Sequence, residues 1–170
     1  MIVKKFQYTS VKKIYLIKKL RQILLLEDIN DPNNLGRIAR ISFGFNVDLI
    51  IIIKDKPIEI TSAIERSSTG LISLIPVMHV KSIKDLFPIL RCLKINVWGS
   101  SIKGFDNIRH INIKKPLIIV FGNEHLGITY KTLKCCDKII SIPTKHSINV
   151  ADAIAIFLYE IFRYQKNIEL

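Results

Sequence analysis

The sequence predicts an α/β domain, a parallel sheet flanked by helices. Three observations lead there. Six short apolar runs, Ile23–Leu26, Leu49–Ile53, Ile75–Val80, Ile95–Trp98, Leu117–Phe121 and Lys138–Ile142, alternate with helical or loop segments. The runs show little polar alternation, the pattern of strands buried on both faces. The last two end in polar loops, Gly122–Gly127 and Pro143–Asn149, and open α/β sheets hold ligands at the C-terminal ends of their strands.

The elements follow in chain order. Met1–Arg21 carries seven basic residues and no acidic one, with Val11, Ile14, Tyr15, Ile17 and Leu20 as a rough helical stripe. Two readings stand: a basic arm on an RNA backbone, or a surface helix packed on the domain or a second subunit. After Ile23–Leu26, Pro32 biases Asp31 away from helix. Asn33 or Asn34 can then cap a helix to about Phe43, with Leu35, Ile38, Ala39 and Ser42 inward. Asn34 stands at its mouth and Arg40 six residues on, off the same face. Thr61–Arg66 reads as a short helix, followed by the loop Ser67–Gly70. Ser82 opens a helix to about Leu93, with Pro88 in or near its first turns. Phe105–Lys115 has no clear pattern. Val150–Gln165 is helical and apolar almost all round, so it needs cover on more than one side. Either the monomer's own fold or a homodimer supplies it.

The chain's 170 residues predict one domain, with 1–22 a basic arm or helix and 23–170 a single unit. At 49% apolar, it is not a disordered chain. A net charge of +12 points either to an anionic partner such as nucleic acid or to a Lys-rich coding bias. Three cysteines with one adjacent pair are no disulfide framework. No Cys/His cluster has zinc-ligand spacing, so no metal is expected. The apolar runs are too short to span a membrane, and no signal-peptide pattern stands at the N-terminus. The expectation is a soluble, cytoplasmic protein.

Three stretches carry chemistry together. The first is Asp31-Pro32-Asn33-Asn34-Leu35-Gly36-Arg37-Ile38-Ala39-Arg40 with Phe43-Gly44-Phe45. The second is Ile119-Val120-Phe121-Gly122-Asn123-Glu124 with Gly127. The third is Ile140-Ser141-Ile142-Pro143 with Ser147-Ile148-Asn149-Val150 and the helix to Glu160. In this order and at these separations, over about Leu24 to Arg163, they resemble the SpoU (TrmH) family of RNA 2′-O-ribose methyltransferases, of the SPOUT class. The resemblance implies a SPOUT-like fold with a C-terminal deep trefoil knot, S-adenosylmethionine as cofactor, tRNA or rRNA as partner, and a homodimer. By position, Gly122, Ile142 and Ile148, with Asn123 and Pro143 beside them, match the family's cofactor-binding residues. Arg40, Asn34, Glu124, Ser147 and Asn149 match its catalytic set. RNA contact falls to Arg40, Lys12, Lys13, Lys18, Lys19 and Arg21.

These residue types suit the chemistry. Methyl transfer from a sulfonium to a ribose hydroxyl is an in-line displacement, so the protein mainly positions the reactants. Arg40 can assist loss of the hydroxyl proton. It can equally bind the target phosphate and polarise the 2′-hydroxyl, a role that suits a permanently charged guanidinium. Plainer roles exist for each residue: a helix cap for Asn34 or Asn149, a surface ion pair for Arg40 with Asp28 or Asp31, a loop carboxylate for Glu124. His125 and His146 read as solvated loop residues and Trp98 as packing. The chain departs from the family in three places. Only Thr144, Lys145 and His146 separate Pro143 from Ser147, against about six residues in typical members. Ala151 stands for a common serine, and Ile148 for Leu. No separate N-terminal RNA-binding domain is read, so capture of RNA rests on the arm, the basic surface or a dimer. A non-catalytic RNA-binding protein on the same scaffold, with a degraded cofactor pocket, is the alternative. An ordinary nucleotide-binding domain lacks a Gly-rich phosphate loop.

Overall fold

The computed structural model describes residues 8–9, 21–110, 112–114 and 116–168. Among these, seven strands form one sheet: β1 (Gln22–Glu27), β2 (Leu49–Ile53), β3 (Val77–Val80), β4 (Asn96–Ser100), β5 (Asp106–Asn107), β6 (Leu117–Phe121) and β7 (Lys138–Ser141). Every neighbouring pair is parallel, in the order β3-β2-β1-β6-β4-β7-β5. Strand β1 lies inside the sheet between β2 and β6, with Leu24 beside Ile50 and Ile119, and Leu26 beside Ile52 and Phe121.

Side chains alternate across a strand, and here both faces are covered. Leu24, Leu26, Ile50, Ile52, Ile119 and Phe121 face α1 (Pro32–Gly44), α2 (Ser62–Ser67) and α5 (Val150–Ile168). Ile23, Leu25, Ile51, Ile118 and Val120 face α3 (Ile83–Cys92) and the segment around α4 (Tyr130–Leu133). Two dry faces explain why the strands read as continuous apolar runs. Phe157 of α5 is fully buried and meets Phe121 edge-on, centroids 5.3 Å apart at 86°. Such a pair adds about 0.5–1.5 kcal/mol beyond its burial.

Several boundaries differ from expectation for local reasons. The cap of α1 is Asp31, not Asn33 or Asn34: its side chain accepts from the Asn33 N–H, and Pro32 takes the first helical position. Proline needs no partner there, and it holds the preceding residue extended, as a cap requires. Pro88 sits in the second turn of α3, which is capped by Ser82. Strand β3 begins at Val77, after Pro76, because Leu71–Leu74 form a 3₁₀ turn. The segment without a clear pattern holds β5 and a 3₁₀ turn at Ile108–His110. Both β5 and α4, two and four residues long, are too short to show a period. Lys12, Lys13, Lys18 and Lys19 lie outside the described residues, whereas the Thr9 N–H reaches the Val77 carbonyl at the outer edge of the sheet, 2.7 Å away. Among the described residues no helix is long and apolar enough to cross a membrane.

Two features yield predictions. A Cβ on Gly36 would stand 1.8 Å from Ser67 Oγ and 2.8 Å from the Ile64 carbonyl oxygen, so α1 and α2 meet through this glycine. Gly36→Ala is expected to cost about 1–3 kcal/mol in denaturant unfolding. Adding Ser67→Ala should recover only part of it, because the Ile64 carbonyl remains. Cys92, Cys135 and Cys136 are free thiols. Burial first, then Cys135, Asp137 and Glu27, push the Cys136 thiol up to about 12. Iodoacetamide at pH 8 should therefore label exposed Cys92 well before Cys136, read by peptide mass spectrometry.

Candidate active site

Strands β4, β6 and β7 are neighbours and parallel, so the loops that leave them emerge at one end of the sheet. Residues 100–103 and 121–128, with Ile142, Thr144, Ser147 and Ile148, enclose most of a cleft of about 540 Å³. That volume lies within the range of small-molecule sites. Phe121, Ile128, Leu133, Ile142 and Ile148 supply apolar walls, and Ser101, Asn123, Glu124, Thr144 and Ser147 supply polar groups.

The loop after β6 is shaped by its own residues. Asn123 Oδ1 accepts from the backbone N–H groups of His125 (2.9 Å) and Leu126 (3.2 Å), and Asn123 O accepts from Gly127 N (2.8 Å). Asn123 Nδ2 donates to the Asp28 carbonyl at 2.9 Å, tying the loop to β1. Gly127 closes the turn at φ +69°, a conformation that favours glycine. A Cβ on Gly122 would lie 2.1–2.2 Å from the backbone of Gly127 and Ile128. Its small size is thus required by the loop folding back on itself, where the resemblance implied only a cofactor-binding residue.

Asn34 lies in the first turn of α1, 5% exposed. Its Nδ2 donates to Glu124 Oε1 at 2.8 Å, and its Oδ1 accepts from Asn149 Nδ2 at 3.1 Å. The three residues come from three distant motifs and form one chain of hydrogen bonds between the loop after β6 and the start of α5. Asn149 also accepts the Ala151 N–H through Oδ1 at 2.8 Å, capping α5, so capping and linkage coexist in one side chain. Arg40 is exposed and, among the described residues, pairs with neither Glu124, Asp28 nor Asp31. The ion pair that joins α1 to α5 is instead Arg37–Asp152, at 2.5 Å and half exposed.

The predicted cofactor residues Gly122, Asn123, Ile142 and Ile148 line the cleft, and so do Glu124 and Ser147. Pro143 is exposed but does not line it. The short segment after Pro143 still reaches the cleft through Thr144 and Ser147. Trp98, 3% exposed, packs in the core. His125 borders the cleft from an exposed loop, and His146 lies off it. Among the described residues, no three His, Cys, Asp or Glu side chains gather as a metal site. Sequence reasoning did not single out Lys103, Leu133 or Glu27. Lys103 follows the Gly99-Ser100-Ser101 strand end, which was a usable signal. Glu27 and Leu133 carry no local one.

A parallel α/β domain with a cleft at its strand ends is the arrangement in which open α/β sheets hold small-molecule ligands. The chain belongs to the SpoU rRNA methylase family, whose family model matches residues 21–159. A Staphylococcus saprophyticus protein assigned to the TrmH family of tRNA/rRNA methyltransferases is 32% identical over 148 residues, 85% of this chain and 59% of that one. The 23S rRNA (guanosine-2′-O-)-methyltransferase RlmB of Blochmanniella floridana is 29% identical over 147 residues, 85% and 58% of the two chains. The chain thus spans somewhat under three fifths of their length. The AdoMet-bound rRNA methyltransferase of Sinorhizobium meliloti superposes with a TM-score of 0.85 at 23% identity, covering 93% of this chain and 61% of that one.

Proposed function

We propose that this protein transfers a methyl group from S-adenosylmethionine to a ribose 2′-hydroxyl of tRNA or rRNA. The observation that carries the reading is the Glu124–Asn34–Asn149 chain, which joins residues 90 and 115 apart in sequence beside the cleft. The walls fit the cofactor: Ile142 and Ile148 offer apolar cover for a purine, and the polar rim faces a ribose or an amino acid. When bound, the cofactor supplies an already activated methyl group. The residues of the chain then hold and orient. Asn34 keeps the loop after β6 and the entry of α5 in register. Ser147, exposed and on the cleft, can bond the substrate ribose. Arg40, exposed and unpaired among the described residues, is open to a phosphate and can polarise the hydroxyl beside it.

The basic arm at 1–22, with Arg21 at its end, serves as an RNA contact in this reading, and the site of action is the cytoplasm. A trefoil knot is part of the same proposal. Strand β7 lies between β4 and β5, the Ser101 N–H donates to the Ile140 carbonyl at 2.9 Å, and a Cβ on Gly104 would stand 2.6 Å from Ile140 C. The segment 101–106 therefore crosses tightly over the strand that leads to α5. A homodimer is supported by Ile156, Tyr159 and Phe162 of α5 and Phe43 of α1, all exposed.

The test is incubation with labelled S-adenosylmethionine and total RNA, read as alkali-resistant ribose methylation. No incorporation, with salt-dependent RNA binding but no calorimetric cofactor binding, would favour the non-catalytic alternative instead. Arg40→Ala is expected to lower turnover roughly hundredfold while cofactor affinity stays unchanged. Full activity in that variant removes Arg40 from the mechanism.

A further inference from the structure

Glu27 is the buried carboxylate that the proposed chemistry does not use. It ends β1 at 7% exposure and pairs with no cation among the described residues. Three donors serve it instead. Oε2 accepts the Thr129 N–H at 2.8 Å, and Oε1 accepts the hydroxyls of Thr129 (2.9 Å) and Thr132 (2.5 Å). Burying a carboxylate is costly unless it is bonded this fully.

What those bonds hold matters. Thr129 caps α4 and follows Ile128, and Leu133 ends α4. Ile128 and Leu133 both line the cleft, while Glu27 itself does not. The start of the same loop is already held to β1 by Asn123. Glu27 therefore anchors its far end to the same C-terminal end of β1, and the apolar wall between the two anchors inherits that position.

We infer that Glu27 is a positioning residue for the cofactor cleft: through Thr129 and Thr132 it sets the wall made by Ile128 and Leu133. This rests on the methyltransferase reading for the identity of the ligand, though not for the anchoring itself. The role is geometric rather than electrostatic. A glutamine can turn its carbonyl to the Thr129 N–H and its amide to the two hydroxyls, which can accept as well as donate. An alanine leaves the Thr129 N–H and the Thr132 hydroxyl without the partner that holds them.

The experiment compares Glu27→Ala, Glu27→Gln and Thr132→Val with the parent protein by two readouts: calorimetric binding of S-adenosylmethionine, and amide hydrogen exchange across residues 123–133. Glu27→Ala should weaken cofactor binding roughly tenfold or more and speed exchange in 123–133, with α1 and β2 unaffected. Glu27→Gln should stay within about threefold of the parent, and Thr132→Val should fall between. Parent-like binding and exchange in Glu27→Ala would overturn the inference. So would equal losses in the Ala and Gln variants, which would make the role electrostatic, or exchange that rises across the whole sheet, which marks a general loss of fold. If the parent binds no S-adenosylmethionine, the functional reading fails, and local exchange in Glu27→Ala still decides the anchoring.

Discussion

Asn34→Ala is expected to lower methyl transfer roughly hundredfold and stability by about 1–3 kcal/mol. The substitution strips Glu124 of its donor and Asn149 of its acceptor in one step. At 5% exposure, water cannot readily replace the lost amide. The loop after β6 and the entry to α5 would then be free to drift apart, and misplacement by about an ångström is costly where catalysis is mostly positioning. Asn34→Asp separates linkage from packing. The new carboxylate would face Glu124 across a 2.8 Å contact, and two carboxyls that close cannot both ionise. One is held protonated to higher pH, and that proton restores a hydrogen bond. Activity relative to the parent should therefore rise as pH falls from about 8 to about 5. Kinetics over that range and denaturant unfolding check both variants. A flat ratio would show that the amide acts only by filling space.

Gly122→Ala should strike the cofactor side of the cleft. A methyl group there would lie 2.1–2.2 Å from backbone atoms of Gly127 and Ile128, and backbone yields less than a side chain. The loop must open, at a cost of about 1–3 kcal/mol. Cofactor binding should fall at least roughly tenfold, because Gly122, Gly127 and Ile128 all border the cleft. Gly127→Ala provides the contrast. Its Cβ would meet nothing within 4 Å, and only the φ of +69° opposes it, a penalty of about 1–2 kcal/mol. Equal binding losses in the two variants would show that the loop's turn, not its close approach, governs the site. Unfolding curves and calorimetry on the same samples separate the two.

Much of the fold was legible because its signals are local. Leu49–Ile53 and Leu117–Phe121 match their strands residue for residue, since burial on both faces demands unbroken apolar runs. Ser82 opens its helix as a short polar cap does, and Thr61, read as the first helical residue, caps a helix that starts at Ser62. The first-turn helix cap was misplaced because Asp31, Asn33 and Asn34 are all competent caps, and only the geometry at Pro32 chooses among them. The short elements α4 and β5 were invisible for want of a period. The ordering of β6 between β1 and β4, and of β7 between β4 and β5, has no local trace at all.

By itself, the sequence determined the alternation of strands and helices, the loops that carry the site, and the three motifs that mark the SpoU family. Their residue types and spacing are properties of short stretches of chain. Only the tertiary structure decided which residues meet. It brought Asn34 between Glu124 and Asn149, sent Asp152 to Arg37 and left Arg40 unpaired, and set Glu27 against Thr129 and Thr132. Those contacts span 90 to 115 residues, and hydrogen bonds reach about 3 Å. Partners so far apart in sequence are chosen by strand order and packing, which no local pattern encodes.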